Sequence, residues 1–121
     1  MKNFKKIKNG TVTSPNGFFA DGIFAGLKPE GDGKLDLGVL ISEKPWEWAA
    51  TYTDNKIKSS SIDYCKEVNG NIKGIIVNSG SANCCVGEQG LIDARNIAHK
   101  CQEIFQSESP FLLSSTGVIG V

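Results

Sequence analysis

The sequence predicts a mixed α/β fold, and three stretches carry that expectation. Residues 73–77 (Lys-Gly-Ile-Ile-Val) form a β-branched run. A stripe of apolar residues at three- and four-residue steps follows Gly87. A second apolar run, Phe111-Leu112-Leu113, comes after it. Strand, loop, helix, strand in that order is the signature of a βαβ-like unit. The first run has no polar alternation at its centre, which predicts a strand buried on both faces. The helix is predicted from Leu91, Ala94, Ala98, Cys101 and Phe105, with Ile97 and Ile104 widening the stripe. Arg95, His99, Gln102 and Gln106 fall on its opposite face. Residues 107–110 end it, and the polar residues 78–83 read as a loop between the strand and the helix.

Upstream, turn signals punctuate the chain at Asn9-Gly10, Asn16-Gly17, Asp21-Gly22 and Asn69-Gly70, and in the loop 29–33. Ile23-Phe24-Ala25-Gly26-Leu27 reads as a strand. Residues 35–41 read as its partner across a Gly31-Asp32-Gly33 hairpin turn. After Pro45, residues Trp46, Ala49 and Ala50 could line one face of a short helix, with Thr51-Tyr52-Thr53 continuing as a strand.

The 121 residues allow one domain, which would bury about 65–70% of its unfolded surface if it folds alone. Thirteen basic residues balance thirteen acidic ones, so overall charge recruits neither nucleic acid nor an anionic membrane. Lys2, Lys5, Lys6 and Lys8 form a short basic cluster that reads as a solvated, frayed end. No apolar stretch approaches the ~20 residues of a membrane span, and no apolar signal region opens the chain. The expectation is therefore a cytoplasmic protein whose cysteines, Cys65, Cys84, Cys85 and Cys101, are free thiols. Their spacing fits no metal pattern, and His99 is the single histidine.

The candidate chemistry lies in Ser114-Ser115-Thr116-Gly117-Val118-Ile119-Gly120. An apolar strand that breaks into Ser-Ser-Thr-Gly sets a hydroxyl beside a main-chain N–H that no side chain blocks. Such a pair can stabilise a developing oxyanion. The plainer alternative is a strand end followed by a turn, with Gly117 chosen for its backbone freedom. Residues 78–83 could contact substrate or support a catalytic loop; equally, they could be a Ser/Asn turn network that satisfies its own backbone. Cys84-Cys85 suggests a thiol nucleophile, but with His99 on the outward helix face both read better as buried small side chains. His99 reads as a solvated surface residue. Trp46, Trp48 and Tyr52 read as core or interface packing. No phosphate-cradling glycine motif and no Gly-x-Ser-x-Gly elbow is present.

Taken together, these segments resemble the N-terminal part of the ornithine acetyltransferase family, the bifunctional glutamate N-acetyltransferases of arginine biosynthesis. The resemblance runs over nearly the whole length: residues 17–26, Thr53-x-Asn55, Ile75-Ile76-Val77-Asn78-Ser79-Gly80-Ser81-Ala82-Asn83, Gly87-Glu88-Gln89-Gly90 with Asp93-Ala94-Arg95, and residues 114–120. It implies a layered α/β sandwich of the self-cleaving, Thr-nucleophile type, of which residues 1–121 are a single incomplete domain. It implies an enzyme made as a precursor that cuts itself at an Ala–Thr bond. The freed Thr takes acetyl from N-acetylornithine, and some members also accept acetyl-CoA. The acetyl then passes to glutamate, and no metal or organic cofactor takes part. Thr116 and Gly117 match the family's oxyanion-hole pair. Ala50-Thr51 lacks the family's cleavage context, so the nucleophile is expected beyond residue 121. The implied partner is a complementary C-terminal (beta) chain in a hetero-oligomer. The alternative is a catalytically silent fragment or interaction module.

Overall fold

The computed structural model describes residues 4–29 and 33–121. Lys2 of the basic cluster, and Gly31 and Asp32 of the expected hairpin turn, lie outside them. Six elements follow one another: β1 (Phe18–Ile23), β2 (Leu37–Trp46), α1 (Ser60–Glu67), β3 (Ile72–Ser81), α2 (Gln89–Ile104) and β4 (Phe111–Val118). The strands form one sheet in the order β1-β2-β3-β4. The first two pairings are antiparallel, and β3 pairs with β4 in parallel from Gly74↔Phe111 to Ser81↔Val118. The βαβ unit is thus β3-α2-β4, and the fold is mixed α/β as predicted. Among the described residues, no helix is long and apolar enough to cross a membrane.

Both helices pack on the same face of the sheet. Successive strand residues point to opposite faces, so Ile72, Gly74 and Ile76 share a face with Phe111 and Leu113. Against that face lie Tyr64 and Cys65 of α1 and Ala94, Ala98 and Cys101 of α2, all buried. The Tyr64 hydroxyl donates to the Phe111 carbonyl at 2.9 Å, and the Leu113 N–H donates to Cys65 Sγ at 3.3 Å. Phe111 is fully buried because Gly74 makes room for it: a Cβ on Gly74 would stand 2.4 Å from the Phe111 ring.

Several expectations need correction. The strand residues 73–77 are only partly buried on their second face: Ile75 is half-buried and pairs with Leu112, which is 9% exposed, but Val77 is 44% exposed. On α2, Ile97 and Ile104 are 46% and 64% exposed, outside the packed stripe, which the small residues Ala94, Ala98 and Cys101 occupy. No helix forms at residues 46–50, and none of residues 51–53 is in a strand. Instead β2 runs on to Trp46, opposite Ile72, through an irregularity between Ile41 and Trp46. Pro45, which has no N–H, fits this break in the ladder. The Lys73 ammonium donates to the carbonyls of Ser42 and Glu43 there, at 2.6 and 3.1 Å. Trp46, Trp48 and Tyr52 do pack against the core, half-buried.

The first strand is β1, at residues 18–23, and not the expected 23–27. Asp36, 2% exposed, explains the difference. Its carboxylate accepts the N–H groups of Ala25, Leu27 and Lys28 at 2.6, 2.7 and 3.0 Å. Collecting three amides on one carboxylate curls the chain instead of extending it, and Gly26 takes a φ of +84° to allow this. The Asp36 backbone ties the curl to its neighbours, donating to Ile23 and accepting from Ser79. Burial acts to raise the Asp36 carboxyl, but the three amides and the Lys28 charge outweigh it and hold the group below its ordinary value.

The sign of the pH effect follows. A carboxyl lowered on folding stabilises fully above its unfolded value, near ~3.9, and the benefit is lost as pH falls through the folded value. An amide at this position would aim its NH₂ at one of the N–H donors. Asp36→Asn is expected to lower the urea midpoint at neutral pH, and the gap to the native sequence should narrow as pH drops through that window. A gap that stays constant from pH 7 to acid would show that the charge is not what holds the curl.

Candidate functional site

The C-terminal ends of β3 and β4 lie side by side, pairing Asn78↔Ser115, Ser79↔Thr116 and Gly80↔Gly117. The polar residues 78–83 are therefore mostly strand, and not the loop their composition suggests. Alternation sends Asn78 and Ser115 to the helix face and Ser79 and Thr116 to the face without helices.

On the helix face, side chains fasten the strand ends to both helices. Ser115 Oγ and Ser61 Oγ of α1 are 2.7 Å apart. Asn83 Nδ2 donates to the Gly90 carbonyl at 2.9 Å, in the first turn of α2, and reaches Ser61 Oγ at 3.5 Å. Asn78 Nδ2 donates to the Ser81 carbonyl at 2.8 Å. Only the Asn78–Ser81 bond and the Asn83 N–H to Ser81 Oγ, at 3.4 Å, lie within residues 78–83, so the self-satisfying turn network offered as one reading of them is met only in part. Ser61 had no signal as a site residue. The Ser59 hydroxyl, accepting the Ser61 N–H at 3.2 Å, does carry one for α1 as an N-cap. Beneath the network lies a cavity of about 450 Å³ lined by Asn78, Asn83, Asp93, Ile97, Leu113 and Ser115, among others.

Thr116 and Gly117 do not line that cavity. Both are exposed, on the edge strand β4. Strand β4 does not end before them, as the turn reading required, but runs on to Val118. Gly117 is needed for a different reason from turn freedom alone. Its φ is +134°, matching +133° at Gly80, and a Cβ on Gly117 would lie 2.3 Å from the Gly80 carbonyl carbon. The strands can approach this closely only without a Cβ on Gly117, whereas a Cβ on Gly80 would meet the Leu27 carbonyl oxygen at 2.7 Å.

Cys84 is buried, as expected, whereas Cys85 is exposed, because it projects from the turn between β3 and α2. His99 is on the surface, with its Nδ1 3.4 Å from Glu103 Oε1. Among the described residues, no group of three or more His, Cys, Asp or Glu side chains could hold a metal ion.

Gly117→Ala is expected to destabilise the fold by more than ~1 kcal/mol, since it adds both a clash and an unfavourable φ. Exposed Thr116→Val should stay within about 0.5 kcal/mol of the native sequence. Chemical denaturation of the two variants checks both. Equal midpoints would mean that the glycine pair does not constrain the strand ends.

The chain and its fold are similar to known proteins. A family model described as the ArgJ family matches residues 19–121. The arginine biosynthesis bifunctional protein ArgJ of Caldanaerobacter subterraneus is 39% identical over 119 residues, covering 96% of this chain and 29% of that protein. Its counterpart in Bacillus cereus is 42% identical over 125 residues, covering 100% of this chain and 30% of that one. The chain thus spans about 30% of the length of these curated relatives. The crystal structure of the Bacillus halodurans bifunctional protein ArgJ matches with a TM-score of 0.85 and 40% identity, covering 93% of this chain and 59% of that chain. Ornithine acetyltransferase from Mycobacterium tuberculosis, solved in complex with ornithine, matches with a TM-score of 0.78 and 34% identity, covering 91% and 61%.

Proposed function

The chain belongs to the ArgJ family, and on that premise we propose that it contributes the oxyanion-stabilising part of an acetyltransferase of arginine biosynthesis. In this reading the acetyl group of N-acetylornithine, or of acetyl-CoA, is transferred to a threonine on a complementary polypeptide. The threonine's own α-amino group serves as local base. Attack turns the acetyl carbonyl oxygen into an anion. The Thr116 hydroxyl and the Gly117 N–H donate to that oxygen, lowering the barrier because charge grows there only in the transition state. Glutamate then attacks the acetyl-enzyme through a second anion of the same kind, held by the same donors. No cofactor is needed for either half. The working enzyme is a cytoplasmic hetero-oligomer of this single domain with the chain that bears the nucleophile.

One observation supports the assignment above the rest: Thr116 and Gly117 sit next to each other, exposed, on a strand whose path the Gly80–Gly117 approach restricts. Oxyanion donors are effective when they need not reorganise, and a strand locked by backbone contact meets that condition. Thr116 also opposes Ser79 on the face free of helices, where a second polypeptide has access. The substrate class fits the relative solved with ornithine bound.

In the assembled enzyme, Thr116→Val should lower kcat by on the order of 10²-fold with KM nearly unchanged. Steady-state assay of acetyl transfer from N-acetylornithine to glutamate measures this. An unaltered kcat removes Thr116 from the mechanism. The purified chain alone should show no turnover in the same assay, and measurable transfer by it would refute a nucleophile supplied from elsewhere.

A further inference from the structure

The turn between β3 and α2 contains a feature that the acetyl-transfer reading does not use. Neighbouring residues on a strand point their side chains apart, yet Cys84 Sγ and Cys85 Sγ are only 3.9 Å from each other. The backbone brings them together: Asn83 and Cys85 both adopt left-handed φ values, +48° and +61°, as does Gly87 at +68°. Cys85 is exposed and Cys84 is 5% exposed directly behind it. The other two cysteines, Cys65 and Cys101, are buried, and burial pushes their thiols up, as it also does that of Cys84. One thiol open to solvent is therefore backed by a second within reach.

We propose that Cys84 and Cys85 form a redox-active vicinal dithiol that low-molecular-weight disulfides oxidise to a ring disulfide. The Cys85 thiolate attacks one sulfur of the small disulfide, forming a mixed disulfide and releasing one thiolate. Cys84, deprotonated, then attacks Cys85 Sγ, closing the Cys84–Cys85 bond and expelling the second thiolate. The two cysteines lose two electrons and two protons. The small disulfide gains both, and leaves as two thiols. The attacking sulfur is held 3.9 Å from its target, and because adjacent Cα atoms lie only ~3.8 Å apart the closed ring is strained and readily reduced again.

Closure of the ring would be felt at the strand ends. The Cys84 carbonyl accepts the Gly120 N–H at 2.8 Å, and the Asn83 carbonyl accepts the Ser60 N–H at 2.8 Å. Cys84 also bridges to Ser59, the N-cap of α1. The same peptide units that carry the thiols thus anchor the segment after β4 and the start of α1. Oxidation is a modification that reports at Gly120, three residues beyond Gly117.

The full chain treated with oxidised glutathione tests this by intact mass and peptide mapping. The native sequence should lose the mass of two hydrogen atoms, with the new link mapped to Cys84–Cys85. In Cys84→Ser, glutathione should stay on Cys85, and the native sequence should retain less of it. Equal retention by the two chains, or alkylation of both cysteines after oxidation, would overturn the proposal. Phenylarsine oxide provides a measurement on the native sequence alone. It should consume both thiols at one equivalent and be displaced by dithiothreitol but not by a monothiol. Release by the monothiol would count against the pair. Hydrogen exchange at the Gly120 amide should quicken after oxidation, and unchanged exchange would overturn the link to the strand end.

Discussion

The parallel pairing of β3 with β4 is the constraint on which the rest of the molecule depends. A parallel pair cannot be joined by a tight turn, so the chain must cross over, and α2 is that crossover. The crossing brings Ala94, Ala98 and Cys101 down onto Phe111 and Leu113, whose burial forms the centre of the core. It also brings the two glycines into backbone contact at the far end. The pairing thereby settles which residues lie under the helices and which lie on the opposite face. Small residues on α2 match this requirement, since they let the helix lie close against the large side chains of the strands.

Polar groups do at the strand ends what apolar contact does at the centre. Ser61, Asn83 and Ser115 join α1, the turn before α2, and β4 through side-chain bonds of 2.7 to 3.5 Å. Asp36 does the same for the segment after β1, using one carboxylate for three amides and its own backbone to reach Ser79. These groups surround the strand ends where the candidate residues lie. The ion pair between Arg95 and Glu67 also joins the two helices, at 2.7 Å, but both side chains are about half exposed. Solvent screening leaves such a pair little weight beside the buried contacts.

Much of this was legible in the sequence, for definable reasons. The β-branched run of β3, the apolar run of β4 and the spacing along α2 each express one dominant signal, and each element forms where that signal lies. The Ser-Thr-Gly motif was visible as a candidate because its atoms are the right kind in the right order. What escaped were features decided by distant partners. Residues 78–81 are poor strand formers by composition, yet they extend β3 because β4 pairs with all four and β2 with Asn78. Residues 24–27 look like a strand, but Asp36 takes the amides of Ala25, Leu27 and Lys28, eight to eleven positions before it. Helix α1 was not foreseen; it begins in a run of serines, and Ser59 as its N-cap was the signal available. The side of the sheet on which Thr116 lies follows from register, which local pattern does not express.

That dependence on register means a count of residues, as much as their identity, encodes the location of the hydroxyl. A strand repeats every two residues. One residue inserted between Phe111 and Thr116 would leave every motif readable and swap the faces of all that follows. Thr116 would turn inward toward the cavity beneath α2, and glycine would no longer stand opposite Gly80. Deletions and insertions in this short segment should therefore be far less tolerated than substitutions at its solvent-facing positions.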